Sequence, residues 1–124
     1  DRIVRAMGRA LDELLPNLDR VPGARPQEDG LATYLGVRKI EDGRINWNDS
    51  AYNIARLVRA TSRPYPGAFS GGRIIWRATE LSYSAWTGVP GRVLRLDPDL
   101  VATGSGTLRI DEYEGPNLKV GEML

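Results

Sequence analysis

A chain of 124 residues with 41% hydrophobic side chains is long enough for one packed domain with an appendage, and too apolar for a disordered segment. Its formal net charge of +1 gives no overall pull toward nucleic acid or an anionic membrane. The absence of cysteine excludes disulfides, zinc–thiolate sites and thiol nucleophiles, and the absence of histidine removes the commonest general base and metal ligand.

The chain opens on Asp1-Arg2 rather than Met, so a fragment or a processed chain is expected. Ile3, Met7, Ala10, Leu11, Leu14 and Leu18 recur at helical spacing, with Arg2, Arg5, Arg9, Asp12, Glu13 and Asp19 between them. That pattern predicts an amphipathic helix over residues 2–20. Pro16 lacks a backbone donor, so a kink or an early stop is expected there. Its apolar stripe needs a cover, either an upstream segment or a second copy. Residues 21–33 hold two prolines and two glycines without periodicity, which marks a linker.

Asn48-Asp49-Ser50 offers helix N-cap chemistry, and the spacing predicts a helix from about Ser50 to Thr61. Ala51, Ile54, Leu57 and Val58 form its apolar face. Tyr52, Arg56, Arg59 and Arg63 follow one another at steps of 4, 3 and 4, as a basic stripe along one side. Such a stripe can take a phosphate or a carboxylate, line an interface, or simply face solvent. Pro64 and Pro66 end the helix.

Beyond Pro66 the period changes to that of strands. Gly71-Gly72 signals a turn, and 73–79, 92–96, 100–103 and 107–111 read as strands. Gly104-Ser105-Gly106 reads as a hairpin turn rather than a phosphate cradle, because neither a Lys-Ser/Thr pair nor a helix follows it. Short strands at close spacing predict a small barrel. The adjacent acids Glu41-Asp42 and Asp111-Glu112 would point to opposite faces of a strand, so they do not form a proton-transfer pair. Lys39 and Lys119 stand alone. Residues 51–100 carry seven arginines against three acids, whereas 26–50 and 101–124 are each net −2. No apolar run approaches the roughly 20 residues of a membrane helix. A cytoplasmic protein is expected.

Two stretches carry a family likeness. Ala32-Thr33-Tyr34-Leu35-Gly36-Val37-Arg38-Lys39-Ile40-Glu41-Asp42-Gly43-Arg44-Ile45-Asn46-Trp47 resembles a signature of the folate-dependent formyltransferases. So does Leu57-Val58-Arg59-Ala60-Thr61-Ser62-Arg63-Pro64-Tyr65-Pro66-Gly67-Ala68-Phe69, and the order and spacing of the two are similar to the family's. The family takes in methionyl-tRNA formyltransferase, sugar-nucleotide amine formyltransferases and formylation domains of peptide-antibiotic pathways. The resemblance covers about residues 1–115.

It implies an α+β fold, with an N-terminal helix followed by a helix and a small OB-like β-barrel. It implies residues 1–27 as the last helix and exit segment of a catalytic domain, the exit being Ala24-Arg25-Pro26-Gln27. Residues 28–40 would be a linker and 41–124 a C-terminal OB-like domain. The family's Asn-His-Asp catalytic set and its 10-formyltetrahydrofolate site would lie upstream of residue 1, so this chain is expected to hold no catalytic, cofactor or metal residue and to be inactive alone. The implied partners are that catalytic domain and an amine acceptor, with no membrane. The motif residues Arg38, Asp42, Trp47, Pro66, Gly67 and Phe69 are expected to be structural, with Asp42 and Arg59 as a polar pair. Arg56, Arg59, Arg63 and Tyr65 are the candidates for an acceptor-side or interface surface. Gly36, Arg38 and Asp42-Gly43 look more like the sugar-amine and small-metabolite enzymes, as does the near-neutral charge. The arginine excess in 51–100 keeps a tRNA enzyme, or a stand-alone nucleic-acid-binding module, as alternatives.

Overall fold

Asp1, residues 21–25 and Ser82 aside, a computed structural model describes the whole chain, that is 2–20, 26–81 and 83–124. The chain divides into two compact units, Asp1–Gly36 and Val37–Leu124.

In the first unit, helix α1 spans Arg2–Leu14. A 3-10 segment, Leu15–Arg20, follows, with non-helical backbone at Asn17 (φ −117°). The α-helix thus stops two residues before Pro16, whose missing donor and ring cannot continue the ladder. No residue of α1 is buried. A short 3-10 turn, Asp29–Leu31, lies farther on. The exit segment read at Ala24–Gln27 falls partly outside the described residues.

The second unit is built on one helix and one sheet. A 3-10 turn, Ile40–Gly43, precedes helix α2, Ala51–Thr61. Ser50 caps α2, its Oγ accepting from the backbone N–H of Asn53 at 3.2 Å. Strands β1 (Ala68–Ser70), β2 (Arg73–Leu81), β3 (Val93–Arg95), β4 (Asp99–Ala102) and β5 (Thr107–Glu114) form an antiparallel sheet in the order β1-β2-β5-β4-β3. The fold is α+β. Gly71 and Gly72 both take positive φ (55° and 72°), which makes the two-residue turn that joins β1 to β2.

The expected barrel is not closed. β1 and β3 lie at opposite edges of the sheet and do not pair. Each edge is covered instead by a neighbouring segment. Ile45 N–H donates to Phe69 O at 3.0 Å along β1, while Val93 N–H donates to Glu122 O and Gly121 N–H to Val93 O along β3. Edge groups satisfied in this way no longer need each other.

Ile54, Ala55 and Val58 of α2 pack with Ile75 and Ala78 of β2, Val101 of β4, Leu108 and Ile110 of β5, and Trp47. The β2–β5 ladder carries two offsetting bulges. Ile75 faces Tyr113 and Arg77 faces Glu112, so Trp76 is an extra residue on β2; Ala78 then faces Ile110, so Asp111 is an extra residue on β5. Beyond them the register is the same as before.

The C-terminal tail, at the weak end of the sequence likeness, is part of the fold. Arg73 is 4% exposed and reaches it with two of its three guanidinium nitrogens. Its Nε donates to Pro116 O at 2.7 Å and Nη2 to Asn117 O at 2.9 Å, while Nη1 donates to Gly71 O at 3.0 Å. Nη2 also lies 2.7 Å from the carboxylate of Glu122. A buried charge needs this degree of satisfaction.

Candidate ligand cleft

Two glycines bring the two motif stretches together. A Cβ on Gly43 would stand 2.7 Å from the carbonyl oxygen of Gly67, so only glycine lets the 40–43 turn approach that backbone. Gly67 has φ +91°, and a Cβ there would fall 2.4 Å from Ile74 Cγ2. Its N–H donates to Thr61 O at 2.9 Å, which folds the Pro64–Gly67 loop back onto the end of α2.

Between these segments lies a cleft of about 870 Å³. One wall is Val37, Arg38, Lys39, Ile40, Asp42 and Gly43; the other is Arg56, Leu57, Ala60 and Thr61 of α2; Tyr65, Pro66 and Gly67 complete it. Asp42 closes its own turn, because Oδ2 accepts from Lys39 N–H at 2.8 Å. The guanidinium of Arg56 lies 5.4 Å from the centre of the Tyr52 ring, a cation–π contact.

The residues expected to matter divide into three groups. Arg38, Asp42, Arg56, Tyr65, Pro66 and Gly67 meet in the cleft. Trp47 and Phe69 pack: Trp47 is buried and its Nε1–H donates to Ser70 Oγ at 2.9 Å, whereas Phe69 is half-buried beneath the guanidinium of Arg44, 5.1 Å from its ring centre. Pro66 is exposed rather than packed. Arg59 and Arg63 lie outside the cleft lining. The expected Asp42–Arg59 pair does not form among the described residues, since Asp42 is turned to the Lys39 amide.

The basic stripe is therefore not one surface. Arg63 has turned to β5, with Nη1 2.8 Å from Glu112 and Nη2 2.9 Å from Glu114, and its guanidinium is stacked 4.3 Å from the Trp76 ring centre. Its pKa is raised above the ordinary arginine value, first by the hydrogen bond to Glu112 and then by that to Glu114. Lys39, Val37 and Ile40 were not among the candidate site residues of the sequence reading; Lys39 looked solitary because the wall it faces across the cleft, Arg56 to Thr61, begins 17 positions away. Gly104, in the Gly-Ser-Gly turn, donates its N–H to Trp47 O (2.8 Å) and Asp49 O (3.0 Å), so that turn packs against the entry to α2.

The ionisable groups in the cleft lining are the guanidinium groups of Arg38 and Arg56, the Lys39 ammonium, the Asp42 carboxylate and the Tyr65 phenol. Guanidinium groups stay protonated at neutral pH, and the Asp42 carboxylate already accepts a backbone hydrogen bond. Among the described residues no group of His, Cys, Asp and Glu could hold a metal ion, and no helix is long and apolar enough to cross a membrane.

Residues 38–122, more than half of the chain, match the family model described as Formyl transferase, C-terminal domain. The chain belongs to the formyl transferase C-terminal domain family. Nearly all of the cleft lining falls inside the matched range, as do α2 and all five strands. Helix α1 lies before it.

Proposed function

We propose that this formyl transferase domain is the accessory C-terminal part of an enzyme that moves a formyl group from 10-formyltetrahydrofolate to a primary amine, in the cytoplasm. Its partner would be an N-terminal catalytic domain carrying the Asn-His-Asp set, and its role would be to shape the acceptor side of the active site. The acceptor would be small, a sugar-nucleotide amine or a small-metabolite amine.

The observation that carries this reading is the convergence of both family motifs on one cleft lined by cationic and apolar side chains. An attacking amine must lose a proton, and the oxyanion that forms needs fixed donors. With the base and donors supplied by the partner domain's Asn-His-Asp set, this histidine-free domain would support catalysis by holding an acceptor.

A second reading, a methionyl-tRNA enzyme or a separate nucleic-acid module, draws on Arg56 and Arg59, which are exposed and have no ion pair among the described residues. Single-strand binding also needs aromatic platforms. Near this stripe stand Tyr52, already in contact with Arg56, and the exposed Tyr65.

The test is formyl transfer by the protein of the complete reading frame, with a sugar-nucleotide amine, a small free amine and methionyl-tRNA offered side by side. Turnover of a small amine is expected, with none from the 124-residue chain alone. Turnover of methionyl-tRNA only would transfer the protein to the second reading, and turnover by this chain alone would sink the accessory role.

A further inference from the structure

We infer that the cleft between the 37–43 segment and α2 binds a phosphorylated ring compound of nucleotide size, its phosphates held by Arg38, Lys39 and Arg56. The inference rests on reading this cleft as the acceptor side of a formyl transferase, and names the part of the acceptor that this domain holds.

The charge comes first. Three cations and one carboxylate line the cleft, which leaves it at +2. Asp42 is directed at the Lys39 amide, 2.8 Å away, and not at a cation. Arg38, Lys39 and Arg56 have no ion pair among the described residues, whereas Arg63, Arg73, Arg77 and Arg109 of the same unit each have a carboxylate within 4 Å. Arg44, Arg59, Arg92 and Arg95 of this unit likewise have no ion pair among the described residues, so what sets the cleft apart is that three unpaired cations line one space. A phosphate monoester carries about −1.5 to −2 at neutral pH, which matches the cleft. Guanidinium forks also suit the geometry of phosphate oxygens.

The remaining surface accounts for the ring. Ile40, Leu57, Ala60 and Pro66 supply an apolar wall, and Tyr65 stands 62% exposed beside it. A free anion would leave that wall wet. The volume falls within the roughly 300–1,000 Å³ of small-molecule sites. Arg56 is already steadied by Tyr52, so less side-chain freedom is lost when an anion arrives.

The test is a heteronuclear NMR titration of the 124-residue chain with a nucleoside diphosphate, the matching nucleoside, inorganic pyrophosphate and a short single-stranded oligonucleotide. Binding of the nucleoside diphosphate should shift the amides of 37–43, 56–61, Tyr65 and Gly67. Arg56→Gln and Arg38→Gln should each weaken it about tenfold, a loss near 1.4 kcal/mol. Arg59→Gln, outside the cleft, should leave it unchanged, and the unfolding midpoints of all three exposed substitutions should stay at the wild-type value. Equal affinity for the nucleoside would overturn the anion site, and equal affinity for pyrophosphate would overturn the ring wall. Tighter binding of the oligonucleotide, lost equally in Arg59→Gln, would replace the proposal with a nucleic-acid surface. No binding at millimolar ligand would end it. Nucleotide binding by an enzyme that transfers no formyl group would leave this site standing and sink the formyl-transfer reading; turnover without binding here would do the reverse.

Discussion

Helices α1 and α2 are both amphipathic, both studded with arginine, and of similar length, yet they have opposite fates. In α2 the residues Ala51, Ile54, Ala55 and Val58 are buried. In α1 none is, and Ile3, Met7 and Leu11 stand 75%, 61% and 50% exposed. Periodicity determines which side of a helix is apolar; it does not supply the surface that covers it. For α2 that surface is the sheet, so its stripe becomes core. The stabilising contribution of an apolar stripe belongs to the pair of surfaces, and is absent where only one of them is present.

The sharpest way to test the difference is to attack what holds the second unit together from a distance. Arg73 bonds three backbone carbonyls and Glu122 while almost wholly buried. Arg73→Ala leaves those acceptors without a partner and frees the tail from the edge of β3. A loss of about 3–5 kcal/mol is expected, the range for breaking a buried ion pair. Urea unfolding followed by tryptophan fluorescence measures it. A loss below about 1 kcal/mol would mean that the tail is not part of the cooperative unit.

The second comparison sets one truncation in each helix side by side. Ile54 is 2% exposed, and Ile54→Ala should cost about 2–5 kcal/mol through lost burial and the cavity left behind. Leu11→Ala removes a similar side chain at a half-exposed position and should stay within about 0.5 kcal/mol. The measurement is the same urea series. Similar losses at the two sites would break the distinction, because they would mean that the α1 face is buried in solution.

The helices, their faces, the Gly-Gly turn and the 104–106 hairpin were legible because each is set by neighbours in sequence: a cap, a proline, a period, a glycine with positive φ. Ala55 escaped notice because a small residue carries little hydrophobic signal, although it is fully buried beneath the helix. The open sheet was not legible. Whether β1 and β3 meet depends on competition from 44–45 and 121–123 for their edges, and strand patterns do not report competitors. Of the cleft, the motifs named Arg38, Asp42, Tyr65, Pro66 and Gly67, and helical spacing named Arg56. That they surround one space follows from the Gly43–Gly67 approach, a contact across 24 positions that no local pattern encodes. Arg73 read as the polar start of a strand, and nothing in its neighbourhood announces a buried guanidinium.

The smallest effect expected in the second unit lies on the solvent side of α2's C-terminal end. Arg63 pairs with Glu112 and Glu114 and stacks on Trp76, but its side chain is more than half exposed, so water and salt screen the attraction. Arg63→Gln should lower the Tm less than either preceding substitution in the second unit, and the difference from wild type should shrink as salt is raised, because ions screen exposed charges. The pH dependence has a definite sign. A guanidinium whose folded-state pKa is raised stabilises fully below its unfolded-state pKa, and the contribution is lost only as pH rises through the folded-state value. Both lie well above neutrality, so the Arg63→Gln difference should not change with pH on account of this group between about pH 6 and 9. Arg63→Lys separates charge from shape: an ammonium keeps the charge but loses the two-pronged contact and the planar stack on Trp76. If Lys restores the wild-type Tm and its salt dependence, net charge alone holds this end of α2 to β5. If Lys behaves like Gln, the fork and the stack do. A loss as large as that of Ile54→Ala would place Arg63 with the core, and would show that the exposed faces of the two helices differ as much as their apolar ones.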